Sequence, residues 1–303
     1  MSVRKRFLSR AVQIIGPVLF AVIFIRFIDL AVFLSVIRDI SIRYLVLSFL
    51  LTVLMHIGKI YRLYFLLRRQ DVLFGFPRLA GIYAYGNVIG QLTNMIVSDV
   101  THAGLLMMDS TKRMKISHVI IVNRLVDLAA VMLLFGFFLG ENFRFIKPYI
   151  TIRGGALLFL PGLLFAVLAI GVLFRARLLP YVSDFLASMK GSLSGLALVT
   201  VFIYGCYCLS AVCDAKAVGL GMPTSFLLLN YTLGSMITVL PISIAGIGTR
   251  DVAFVFLMGL VQISSEKAVI VSFLGFVLVP LFSVLFVYLM ASAFQRYGNS
   301  HHH

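Results

Sequence analysis

The sequence predicts an all-α polytopic membrane protein with about six full spans and two re-entrant helical hairpins, arranged as an inverted-topology repeat. Three observations carry this. The 303 residues are 61% hydrophobic and 12% charged, with a mean hydropathy of +1.06, whereas soluble domains are about 45–50% apolar and about 25% charged. The apolar runs are long and continuous and do not alternate, so helices, not a β-barrel, satisfy the backbone in lipid. The net charge of +15 is concentrated in short stretches between those runs, as in cytoplasmic loops that face anionic lipid. That placement argues against nucleic acid as the partner of the charge.

The chain opens with Arg4, Lys5, Arg6 and Arg10. The apolar run behind them is too long for a secretory signal and lacks a small-residue cleavage site, so it reads as a first span with a cytoplasmic N-terminus. Runs at 12–36, 42–58, 117–139, 155–174, 197–217 and 268–293 read as full spans, because roughly 20 apolar residues cross the hydrocarbon core. Two further runs are broken by polar residues. The first, about 79–110, contains Asn87, Gln91, Asn94, Ser98, Asp99, Thr101 and His102; the second, about 225–262, contains the segment from Pro241 to Asp251. Irregular backbone at membrane depth requires burial in protein or a wet cavity.

Charge orders these segments. Lys59, Arg62, Arg68, Arg69 and Arg78 form an inside loop after the second span, and Lys112, Arg113 and Lys115 follow the first broken run. Both clusters lie inside only if 79–110 dips in and returns, with its turn near Asp99 and His102. The third span then exits, leaving Glu141, Arg144, Lys147 and Arg153 outside; the fourth returns, placing Arg175, Arg177 and Lys190 inside. The fifth exits, 225–262 forms the second hairpin from outside, and 268–293 brings Arg296 inside. The halves, about 1–140 and 154–296, thus share a plan in opposite orientation, the construction of many secondary transporters. Gly90 and Gly104 echo Gly234 and Gly248 at equal spacing. A plainer reading has eight or nine simple spans. Residues 178–190 read as an amphipathic surface helix. The transmembrane domain covers 1–296, and 300–303 reads as a purification-tag remnant.

Ionisable groups within membrane segments are costly and face a bundle interior or a wet cavity. Arg124 and Asp127 lie three apart on one helix face, spaced either to pair structurally or to serve a ligand. Arg250 and Asp251 follow Gly246 and Gly248. The glycines permit a turn, and a helix starting about 251 presents free N–H groups and a positive dipole end that favour an anion. Arg250 suits a phosphate, and Asp251 suits a helix cap. Asn94, Asp99 and His102 form a polar path, either for proton coupling or, with Gly86 and Gly90, for close helix packing. Arg26 with Asp29, and Asp214 with Lys216, read as packing or interfacial pairs. Cys206, Cys208 and Cys213 read as small apolar packers. No phosphate loop, His-Glu-x-x-His or Gly-x-Ser-x-Gly motif occurs, and His56 and His118 are isolated, so the expectation is a protein that is not an enzyme and uses no cofactor or metal.

The stretch Leu240-Pro-Ile-Ser-Ile-Ala-Gly-Ile-Gly-Thr-Arg-Asp251 resembles the signature of the lysylphosphatidylglycerol synthase transmembrane (flippase-like) family. Pro241, Gly246, Gly248 and Arg250 match it, and Asp251 stands where that family usually has Glu. Asn94, Asp99 and Gly104, and Asn123-Arg124 with Asp127, are similar to its central pattern, although the first motif lacks a proline near 97–99. The resemblance covers nearly the whole chain. It implies a domain that moves a polar-headed lipid between leaflets, and a stand-alone member without the aminoacyl-transferase domain. The expected function is therefore a flippase for a phosphate-containing lipid or a polyprenyl-linked glycolipid. The head group would meet Arg250, Arg124, Gly246 and Gly248, and the polar pathway would run through Asp99, His102, Asn94, Asp127 and Asp251. Alternatives are a non-transporting partner of a lipid-modifying or glycosyl-transfer enzyme, and a membrane-embedded lipid transferase using Asp99 or His102 as base. Expected partners are the lipid, the membrane, a second copy or a lipid-modifying enzyme. The expected location is a bacterial or archaeal cytoplasmic membrane, with both termini cytoplasmic.

Overall fold

A computed structural model describes residues 30–93, 95–108, 110–152, 192–239 and 249–300. Helices make up every regular element among the described residues: α1 (Leu30–Arg38), α2 (Ile42–Arg69), α3 (Phe76–Leu92), α4 (Met95–Met108), α5 (Arg113–Ile152), α6 (Leu193–Ala217), α7 (Thr224–Val239), α8 (Thr249–Leu260), α9 (Ser265–Phe273) and α10 (Val279–Ser300), with a π-helical turn (Leu274–Leu278) joining α9 to α10. Among the described residues, four stretches are long and apolar enough to cross a membrane: Ile42–Arg69, Arg113–Arg144, Leu193–Ala217 and Ser265–Ala293. Their outer faces expose Leu50, Leu54, Leu133, Phe137, Leu198, Val201, Phe282 and Leu289. The chain is a multi-pass membrane protein, and this apolar surface is the one lipid covers.

Local chemistry sets the helix ends. Asp71 adopts φ 56° after α2, and Val72 N–H reaches back to Leu67 C=O at 3.0 Å. Gly219 (φ 67°) does the same after α6, where Leu220 N–H donates to Ala215 C=O at 2.9 Å. Both are left-handed caps that satisfy otherwise orphaned carbonyls. Pro77 lies in the first turn of α3, where its missing N–H costs nothing. The Ser264 hydroxyl accepts from Lys267 N–H at the start of α9.

Several boundaries differ from the sequence reading. The second span does not end at 58. It continues to Arg69, so Lys59 and Arg62 belong to α2 and not to a loop. The helix carries on through them because Arg62 finds its partners inside the bundle and Lys59 faces a cavity there. The third span likewise runs on through Glu141, Arg144 and Lys147, which are helical in α5. The first broken run is a helical hairpin, but α3 ends at Leu92 and α4 begins at Met95, so Asp99 and His102 lie within α4 and not at the turn. Two glycines permit that hairpin to close: Gly86 faces the His102 ring, and a Cβ on Gly90 would stand 2.6 Å from Ser98 Cβ. The helix of the second broken run, read from about 251, includes Thr249 and Arg250. The 155–174 span, the 178–190 amphipathic helix, Arg26, Asp29 and most of the 12–36 span lie outside the described residues.

Packing is reciprocal between the two halves. The long helices α2 and α6 lie against each other. The hairpin helix α3 packs on α10, the last helix of the other half, while α7 packs on α5, the last helix of the first half. Helices α3 and α4 pair as α7 and α8 do. One apolar cluster joins α2, α3, α5 and α10 through Leu66, Leu79, Ile116 and Val284. A second joins α6, α7, α8 and α9 through Ala211, Tyr231, Phe254 and Val271.

A candidate head-group site between the two halves

Helix α2 carries Ser48, Thr52, His56 and Lys59 at spacings of three and four, so they form one polar stripe. Arg62 lies one turn beyond and is wholly buried. Its Nη2 donates to Asp127 Oδ1 at 2.7 Å and its Nε to Asn123 Oδ1 at 2.9 Å. Tyr204 of α6 donates its hydroxyl to the same Asp127 oxygen at 3.0 Å. A buried charge is tolerated only when paired and hydrogen-bonded in this way. Asp127 therefore ties α2, α5 and α6 together.

Arg124 does not pair with Asp127, although the two share a face of α5. Its Nε stands 3.5 Å from Asp99 Oδ2 of α4, with both side chains partly exposed, and its Nη2 is 3.1 Å from Met95 Sδ. The more deeply buried Arg62 holds Asp127 at 2.7 Å, and Arg124 reaches across to the hairpin.

In the second half, Arg250 and Asp251 occupy the first turn of α8. Arg250 is 1% exposed, its Nη2 lies 3.0 Å from Asp251 Oδ1, and its guanidinium lies over the Phe276 ring at 4.5 Å. The Ser272 hydroxyl also donates to Asp251. Asp251 thus holds Arg250 and α9 from inside the first helical turn. Phe276 sits in the π-helical turn, a local widening of the helix often found at functional sites.

A buried hydroxyl network lies behind these groups. Asp214 of α6 is 0% exposed and accepts from Ser48 Oγ at 2.6 Å and from the Tyr231 hydroxyl at 3.3 Å. Ser48, Ser210 and Thr52 hydroxyls are linked at 3.0 and 2.9 Å. Gly275 presents no Cβ against Tyr231 and Asp214. Asp214 and Lys216, read in the sequence as a packing or interfacial pair, do not pair with each other: Asp214 is held by hydroxyls of α2 and α7, while Lys216 stacks over Tyr44 at 5.7 Å.

These groups enclose one cavity of about 160 Å³ between the halves. Lys59, Arg124 and Asp127 enter it from the first half, and Tyr231, Ser235 and Arg250 from the second. The two arginines singled out in the sequence therefore meet in one space. Asp99 and Asp251 stand just behind, each on its arginine. His102 is elsewhere: its Nε2 lies 2.8 Å from Tyr83 C=O and its ring stacks on Tyr83 at 5.3 Å, so it fastens α3 to α4. Asn94, Gly246 and Gly248 lie outside the described residues. Sequence reasoning missed Lys59, His56 and Asp214. The α2 stripe would have shown the first two had the helix been continued past 58.

No curated protein and no solved structure gives a match to the chain. A family model does match, over residues 13–290, nearly the whole chain. It describes the lysylphosphatidylglycerol synthase TM region, and the chain belongs to that family.

Proposed function

We propose that the protein is a lipid flippase that moves a lipid with a phosphate-containing head group between leaflets, and that it performs no bond chemistry of its own. The observation that carries this is the meeting of Arg124 and Arg250, one from each half, in a single cavity between the halves. Guanidinium groups match phosphate oxygens in geometry and charge. Small-molecule pockets that engulf a whole ligand measure about 300–1,000 Å³. A space of about 160 Å³ suits a head group, with the acyl or prenyl chains left in the bilayer.

The inverted repeat is part of this proposal. The helices of the first hairpin, α3 and α4, have 17 and 14 residues, or about 21 to 25 Å of helix, short of the roughly 30 Å hydrocarbon core. Re-entry accounts for these lengths, and the reciprocal packing of α3 on α10 and α7 on α5 supports re-entry from opposite faces. Alternating access then consists of rocking one half against the other around a fixed site. The basic loops support a cytoplasmic position for both termini.

The test is leaflet exchange in proteoliposomes carrying fluorescent phosphatidylglycerol, with dithionite as the membrane-impermeant quencher. Wild-type protein speeds exchange over empty vesicles, and Arg250→Ala loses that gain in the fraction that elutes as folded protein, read beside Arg250→Ala with Asp251→Ala, which strands no buried carboxylate. Wild-type rates in the variant remove Arg250 from the site. Lipid binding without exchange favours the non-transporting partner instead.

A further inference from the structure

The cations around the cavity are unevenly matched. Arg62 has Asp127 at 2.7 Å, Arg124 has Asp99 at 3.5 Å, and Arg250 has Asp251 at 3.0 Å. Lys59 lines the same cavity, is partly exposed to it, and has no carboxylate within ion-pair distance and no hydrogen-bond partner among the described residues. Among the described residues the three arginines each have a carboxylate in ion-pair contact and Lys59 has none, although Asp127 acts on it at longer range; its ammonium is carried on a flexible stem at the cavity wall. Asp214 does not offset it. That carboxylate is held by Ser48, which precedes Lys59 by three turns of α2, about 16 Å along the helix. One turn before Lys59, His56 lines the same wall, is 4% exposed, and has a buried Nε2 without a partner.

We infer that Lys59, with His56 beside it, is the primary ligand of the transported head group, and that it selects lipids bearing one net negative charge on a phosphodiester. This rests on the lipid-transport reading. The paired arginines shape the cavity and supply further donors, while the unmatched ammonium sets the charge the ligand must bring. A zwitterionic head group would carry its own ammonium into a space where each lining or adjacent carboxylate already holds an arginine. It would gain the phosphate contact and lose it again to repulsion from Lys59.

The test is native mass spectrometry of the full chain in detergent. It is offered equal amounts of chain-matched phosphatidylglycerol and phosphatidylethanolamine, with inorganic phosphate added in a second arm. Wild type retains phosphatidylglycerol with about a tenfold preference, the scale of one charge-assisted contact. Lys59→Gln and Lys59→Met both level that preference, and Lys59→Arg restores it. Two neutral variants guard against one that misfolds, and melting curves identify it. A preference that persists in both neutral variants overturns the inference. Displacement of phosphatidylglycerol by an equal concentration of inorganic phosphate also overturns it, since the site would then take a soluble anion. Leaflet exchange of both lipids by the same wild-type protein separates the two readings. Equal exchange rates overturn charge selection and leave transport standing. Selective binding without exchange overturns transport and leaves Lys59 standing.

Discussion

Arg62 of α2 donates to Asp127 of α5 at 2.7 Å with its own side chain fully buried, and this pair, not the neighbouring Arg124, fixes the spacing of the two helices that flank the cavity. Removing one member strands a charge. Asp127→Ala leaves Arg62 without its carboxylate, at a cost of about 3–5 kcal/mol, and Arg62→Met with Asp127→Leu together costs much less. Melting in mild detergent of both singles and the double tests the coupling. Additive losses would mean the pair does not act as a unit.

Arg124 and Asp99 should behave differently from each other. If Arg124 grips the head group and Asp99 only parks it, Arg124→Gln lowers exchange by about tenfold or more, the scale of a lost charge-assisted hydrogen bond. Asp99→Asn keeps most of the rate or raises it, because the guanidinium is released. Equal losses in both variants would make the pair structural.

The first hairpin depends on a close approach at Gly90. A methyl there would stand 2.6 Å from Ser98 Cβ, whereas one on Gly104 would meet nothing within 4 Å. Gly90→Ala is expected to destabilise by about 1–3 kcal/mol through overpacking, and Gly104→Ala to leave the melting temperature unchanged or raised. The pair of melting curves needs no functional assay.

Tyr231 supplies one of the two hydroxyls on the buried Asp214. Tyr231→Phe keeps the ring that stacks on Phe276 at 5.1 Å and removes only the hydroxyl. The expected loss is about 1 kcal/mol, read as a lower melting temperature. An unchanged melting temperature would assign the whole role to Ser48.

Much of this was legible in the sequence. Continuous apolar runs gave the long helices, and Asn87, Gln91 and Ser98 marked the first hairpin because polar groups in an apolar run need an inward face. Arg124 and Arg250 stood out for the same reason. The partners did not. Spacing on one helix suggested Arg124 with Asp127, but a pair's partner is set by three-dimensional competition, and Arg62 wins because it is the more deeply buried cation. Lys59 was hidden by a charge-counting rule that treats every lysine after an apolar run as loop. His102, polar and mid-segment, read as either a pathway or a packing residue, and the structure sets its ring against Gly86 and Tyr83.

The central claim is that one cavity between the halves holds a phosphate head group through both of its arginines. The most direct measurement is the identity of the native lipids retained by protein purified in mild detergent, read by mass spectrometry for wild type, Arg124→Gln and Arg250→Ala. The account predicts an enriched phosphate-containing lipid in wild type that falls in the folded fraction of each variant. No enrichment, or an enrichment that survives both substitutions, would contradict it.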